Sequence, residues 1–137
     1  MMTTYQDLST YVYGDHDPAA TVLNVGWLGG RASFTTGDVD AEVRYALLEA
    51  IVRDQVNVMR GWHSCELCTE PSPVVVPFEP ARDGKLRLGH AEVHVTGADG
   101  VVYAAPTLIV HYIDAHNYRP PQQFIDAVMA NSRSWGK

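Results

Sequence analysis

Residues 85–116 read KLRLGHAEVHVTGADGVVYAAPTLIVHYIDAH, and this stretch decides the fold. Its first half changes parity: Leu86 and Leu88 fall on even positions, whereas Ala91, Val93 and Val95 fall on odd ones. A bulge at Gly89 would restore a single buried face, because one extra residue returns the side-chain alternation to register. Asp99-Gly100 is a strong hairpin turn, so residues 90–96 are expected to pair with 101–104. The second strand then runs into a helix, expected to start near Pro106, a favoured first-turn residue, and to continue through His116.

Outward from the hairpin, helical periodicity recurs on both sides. In DVDAEVRYALLEAIVRD, residues 38–54, Val43, Leu47, Ala50 and Ile51 share a stripe, with Asp38 and Asp40 available to favour the N-terminal turn. Pro120 and Pro121 open a last helix with a stripe of Phe124, Ile125, Val128 and Met129. TVLNVGWL, residues 21–28, alternates as a strand with Leu23, Val25 and Trp27 on one face, and GGRASFTTG closes it. Prolines in TEPSPVVVPFEP leave room only for a short edge strand at Val74–Val76. Residues 1–19 are irregular, with Tyr5, Tyr11 and Tyr13 spaced as anchors. The expected architecture is α+β, a small antiparallel sheet with about three helices and a zinc-knuckle-like C-x-x-C loop, in a single domain over 1–137.

Composition narrows the partners. The 137 residues hold 16 acidic and 10 basic side chains, a net charge of −6, and Lys85 and Lys137 are the lysines. Phosphate backbones and anionic lipid need clustered Lys and Arg, so no general nucleic-acid or membrane binding is expected. An acidic surface suits a basic protein partner, or simply solubility. The N-terminal stretch lacks a basic region followed by an apolar run, and no segment approaches the length of a membrane span. The expected location is therefore cytoplasmic, where a C-x-x-C pair is more often metal-binding or catalytic than a disulfide.

That pair lies in RGWHSCELC, residues 60–68, which holds both cysteines and His63. Zinc takes thiolates and imidazoles, and a tight C-x-x-C turn aims two sulfurs at one ion. Two more donors are on offer in HYIDAH, where His111 and His116 stand in H-x4-H spacing, with 42 residues between Cys68 and His111. Residues five apart in a regular helix point about 140° away from each other, so both imidazoles reach one ion only if the helix unwinds near His116. HNYRPP supplies such an ending. The candidate metal ligands are His63, Cys65, Cys68, His111 and His116, for Zn2+.

Plainer readings compete. His111 sits in a stripe with Thr107 and Asp114 and can lie on a polar face with Asp114 as its partner. His116 can act as a capping histidine at the helix end, and the cysteines can be unliganded buried thiols. A redox pair is disfavoured because Pro71 and Pro73 prevent the long helix whose N-terminus would lower a thiol pKa. His90, Glu92 and His94 form a second metal-like triplet, but with Ala91, Val93 and Val95 facing the core they read as a solvated strand face.

The chain also resembles a family of small bacterial proteins, a recurrent uncharacterised domain. The resemblance covers nearly the whole length and is carried by DLSTYVYG, NVGWL, RGWHSCELC, LGHAEVHV and YAAPTLIVHYIDAHNYRPPQQF. It implies that His63, Cys65 and Cys68 belong to one cluster and His111 and His116 to another. Glu92 matches the pattern, whereas His90 and His94 fall where the family has no fixed histidine. The family brings no activity or substrate with it.

Three functions follow from the residues. The first is a zinc-stabilised protein-interaction module, regulatory or immunity-type, with four protein ligands and an unidentified protein partner. The second is a zinc hydrolase with an open metal position and a base among Glu66, Glu70, Glu92 and Asp114, none of which stands in an H-x-E or H-E-x-x-H context. The third is a small-ligand or nucleotide binder using Trp27, Trp62 and Arg60 in a pocket between the sheet and GWLGGR. The first is favoured, with no catalytic residue assigned.

Overall fold

The computed structural model describes residues 5–11, 21–29, 34–53, 55–58, 61–97 and 100–135, with 132–135 as backbone alone. Tyr13, Arg31, Arg60, Asp99 and Lys137, which entered the sequence reading, lie outside them. In chain order the elements are β1 (Val22–Asn24), α1 (Ala41–Arg53), β2 (Gln55–Val56), β3 (Val74–Pro77), β4 (Lys85–Leu88), β5 (Glu92–Thr96), β6 (Val102–Pro106), α2 (Ile109–His116) and α3 (Gln122–Trp135). The architecture is α+β.

β5 and β6 form the expected hairpin, in antiparallel register from Glu92 opposite Pro106 to Thr96 opposite Val102. They are the centre of a four-stranded sheet ordered β1-β6-β5-β2. β2 is antiparallel to β5, but β1 runs parallel to β6, so the sheet is mixed. β3 and β4 make a separate two-stranded antiparallel sheet.

That division corrects the reading of Gly89. It is not a bulge within one strand; at φ +109° it ends β4 and passes the chain to the other sheet. The parity change is real because two strands bury two different faces: Leu86 and Leu88 in one sheet, Val93 and Val95 in the other.

The helices follow from their stripes. Val43, Leu47, Ala50 and Ile51 of α1 are buried as expected, together with Ala46 and Leu48. The Asp40 carbonyl accepts from the Val43 and Arg44 amides to close the first turn. α3 buries Phe124, Ile125, Ala127 and Val128, and the Pro121 carbonyl accepts from Phe124 and Ile125. α1 packs on α3, and both pack on β5. Each fully buried Leu, Ile or Phe in this layer contributes about 1.5–3 kcal/mol relative to exposure.

One local expectation fails and another is incomplete. Pro106 closes β6 rather than opening α2, which starts at Ile109 after a turn through Thr107 and Leu108. The expected face of Leu23, Val25 and Trp27 packs against the main core, but Val22 and Asn24 on the other face of the strand are buried as well. The cause is a second layer of backbone: the Tyr11 and Leu8 amides donate to the Val22 and Asn24 carbonyls, and the Asn24 amide donates to Ser9. Residues 5–11 thus cover the far edge of β1. The Asn24 side chain tolerates burial by donating to Ser9 Oγ and to the Thr10 carbonyl, both at 3.1 Å.

Tyr5 and Tyr11 are anchors within this layer. Tyr5 stands edge-on to Trp27 at 5.6 Å, and Tyr11 is buried.

Candidate metal centre

The site is assembled by one glycine and one threonine. The Gly89 carbonyl accepts from the His63 amide at 2.7 Å, while its own amide donates to Thr107 Oγ1 at 2.8 Å. His63 opens the cysteine loop and Thr107 lies at the entrance to α2. A Cβ on Gly89 would lie 2.7 Å from the His63 carbonyl oxygen, so only glycine lets the two chains approach this closely. Thr107 is fully buried.

At the other end of α2, Asn117 takes the left-handed conformation at φ 55°, and its amide reaches back five residues to the Tyr112 carbonyl. Tyr118 donates to the same carbonyl at 3.2 Å. This capping turn stops α2 directly after His116, the last residue of the helix, so the helix does not unwind before that histidine. The two imidazole rings stand 5.2 Å apart and nearly perpendicular, at 79°.

The result is a Cys2His2 cluster. One ligand atom from each of Cys65, Cys68, His111 and His116 lies within 4.8 Å of the others. Cys65 Sγ is 3.4 Å from His116 Nε2, and Cys68 Sγ is 3.4 Å from His111 Nε2. In tetrahedral zinc with Zn–S of about 2.3 Å and Zn–N of about 2.0 Å, a sulfur and a nitrogen ligand stand about 3.5 Å apart. Both observed pairs match that edge.

Cys65 and His111 are buried, His116 is half-buried, and Cys68 lies at the exposed rim. Both cysteines are free. Burial, together with the neighbouring Cys68 sulfur, pushes the Cys65 thiol up, although the Leu67 amide donates to its sulfur at 3.3 Å. Burial and then His116 hold the His111 imidazolium down, which keeps His111 neutral and able to ligate. A divalent cation resolves both effects, since it favours thiolates and neutral imidazoles at one point. The raised thiol is the opposite of what a redox nucleophile requires.

His63 stays outside the four-residue cluster. It is half-buried, burial lowers its pKa, and its backbone rather than its side chain ties the loop to Gly89. The polar-face reading of His111 fails on burial and on Asp114, whose carboxylate takes two bonds from Arg44 at 2.7 and 2.8 Å. The supporting residues Gly89 and Thr107 carried no ligand signature in the sequence. The parity break at Gly89 was the one sign of a special position.

The strand triplet is corrected too. Glu92 does not face solvent; it is 7% exposed beneath Tyr11. Its Oε1 accepts from Tyr11 Oη at 2.7 Å, from Asn57 Nδ2 at 3.1 Å and from His94 Nε2 at 2.9 Å. Burial and the Glu92 carboxylate raise the Tyr11 pKa, as expected for a phenol that donates to an anion. Trp27 is a core residue whose Nε1 donates to the Ala104 carbonyl at 2.9 Å, which removes it from a ligand pocket.

No helix among the described residues is long and apolar enough to cross a membrane. Comparison with curated proteins and with solved structures finds no match. A family model described as "Domain of unknown function (DUF7919)" matches residues 3–129, so the span includes all four clustered residues and both sheets. The chain therefore belongs to this uncharacterised domain family.

Proposed function

We propose that this protein binds one zinc ion through Cys65, Cys68, His111 and His116, and that the metal is structural. The observation that carries the reading is the convergence of four donor atoms within 4.8 Å from two segments distant in sequence. A two-sulfur, two-nitrogen donor set suits zinc, and four protein ligands complete its tetrahedron with no position left for a substrate water. The ion would staple the 61–70 loop to α2, adding to the hydrogen bonds at Gly89. A cytoplasmic setting suits the free thiol pair, because there thiols remain reduced.

The stapled domain acts, in this reading, as a protein-interaction module of regulatory or immunity type. Its net charge of −6 favours a basic partner. The hydrolase reading has less support: Asp114 is held by Arg44, and Glu92 by Tyr11, Asn57 and His94. Elemental analysis of protein purified without added metal tests the assignment. One zinc per chain supports it, and a metal-free protein of equal stability refutes it. Capture from the native host with wild type and Cys65→Ser as baits tests the interaction role, which requires a basic protein retained by the first and lost with the second.

A further inference from the structure

The basic residues of this acidic chain are unevenly spread. Of its 10 Lys and Arg side chains, Arg82, Lys85 and Arg87 line a single open cleft of about 560 Å³. Among the described residues Asp83 is the one carboxylate in its lining, and Arg87 engages it at 3.1 Å. The wall therefore carries an excess of two positive charges in a protein of net charge −6. Along β4 the exposed Lys85 and Arg87 alternate with the buried Leu86 and Leu88, so the two cations project from one strand face. They stand about 7 Å apart along the strand, a spacing that lets both reach one phosphate group.

Trp62 lines the same cleft and is 39% exposed. Its indole rests on the His90 ring, with centroids 4.2 Å apart and planes tilted by 40°. An indole propped on a second ring beside cations is a stacking platform for a flat, electron-poor ring. His90 Nδ1 is buried, and among the described residues it has no hydrogen-bond partner.

We propose that this cleft binds a mononucleotide-type ligand, with its phosphate held by Arg82, Lys85 and Arg87 and its base stacked on Trp62 beside His90. The volume lies in the range of about 300–1,000 Å³ typical of small-molecule sites. A polymer is disfavoured, because the net negative surface repels a phosphate backbone that runs past the cleft. Burial lowers the His90 pKa, so its imidazole is neutral at neutral pH and adds no charge beside a stacked base.

The site is separate from the four metal-ligating candidates, and the proposal does not rest on the zinc reading. Isothermal titration of the full chain at low salt, with AMP and with inorganic phosphate as probes, tests it. AMP is expected to saturate one site with a Kd below about 1 mM, and phosphate to bind at least about tenfold more weakly. Lys85→Ala should weaken both probes, whereas Trp62→Ala should weaken AMP about tenfold and leave phosphate unchanged.

No saturable AMP binding up to about 5 mM overturns the proposal. So does AMP binding that neither variant weakens, or a Trp62→Ala effect equal for AMP and phosphate. Lys85 is an exposed side chain on β4, so its variant should retain the wild-type unfolding midpoint. Zinc content measured on the same preparations separates failure here from failure of the metal assignment.

Discussion

Replacing Gly89 with alanine perturbs the structure at a single point and should be felt in two places. The new Cβ would lie 2.7 Å from the His63 carbonyl oxygen, at a backbone angle of φ +109°. A non-glycine residue in that conformation costs about 1–3 kcal/mol. Relieving the clash moves the His63 peptide away and breaks its 2.7 Å bond to the Gly89 carbonyl, a further loss of about 1 kcal/mol. The combined destabilisation is about 2–4 kcal/mol. Because His63 stands two residues before Cys65, the shift also displaces the sulfurs from the histidines, so zinc should transfer faster to a competing chelator. Urea unfolding of the zinc-loaded protein and stopped-flow transfer to a chromogenic chelator read the two effects. Gly61→Ala is the control: a Cβ there meets nothing within 4 Å, and its stability should change by less than about 0.5 kcal/mol. If Gly89→Ala unfolds at the wild-type midpoint, or is destabilised with unchanged zinc transfer, the linkage between this glycine and the site is refuted.

Cys65→Ser and Cys68→Ser should each abolish stoichiometric zinc and remove most of the metal's stabilisation, about 4 kcal/mol when free zinc is a thousand times Kd. Cys65→Ser should remain the less stable of the two even with chelator present, because it places a hydroxyl at a position 5% exposed; equal midpoints would contradict that. Arg44→Ala breaks a bidentate pair whose side chains are 34% and 33% exposed, so urea unfolding should show a loss of only about 0.5 kcal/mol. A loss of several kcal/mol would mean that the pair is far better shielded than its exposure implies. His90 has a pKa lowered by burial, so between the folded and unfolded values the unfolded chain binds the extra proton. Its contribution to stability is therefore complete above about pH 6.5 and lost as pH falls through the folded value. His90→Gln should make stability less dependent on pH between 7.5 and 5, and an unchanged slope in thermal melts would contradict this.

The elements with strong local signals were legible. The 3.6-residue stripes of α1 and α3 coincide with their buried faces, and the β5–β6 hairpin follows from alternation beside a turn. Non-local pairing was not. β2 is two residues long and carries no periodicity, and the parallel contact of β1 with β6 depends on a partner about eighty residues away. Glu92 illustrates the same limit, because alternation placed it outward whereas Tyr11, from the N-terminal segment, and Asn57 close over it. The cysteine and histidine spacing marked both halves of the cluster. Spacing suggested that the helix must unwind near His116 for both imidazoles to meet, yet α2 stays helical through His116 and the rings stand 5.2 Å apart. Nor did the sequence separate His63 from the other four, since it stands two residues before Cys65 and its backbone bond to Gly89 joins segments distant in sequence.

X-ray absorption at the zinc edge of the purified protein tests the central claim most directly. The account predicts two sulfur neighbours at about 2.3 Å and two imidazole nitrogens at about 2.0–2.1 Å, with no light-atom ligand from solvent. A shell with a single sulfur, or with an oxygen in place of one imidazole, would contradict the closed structural site.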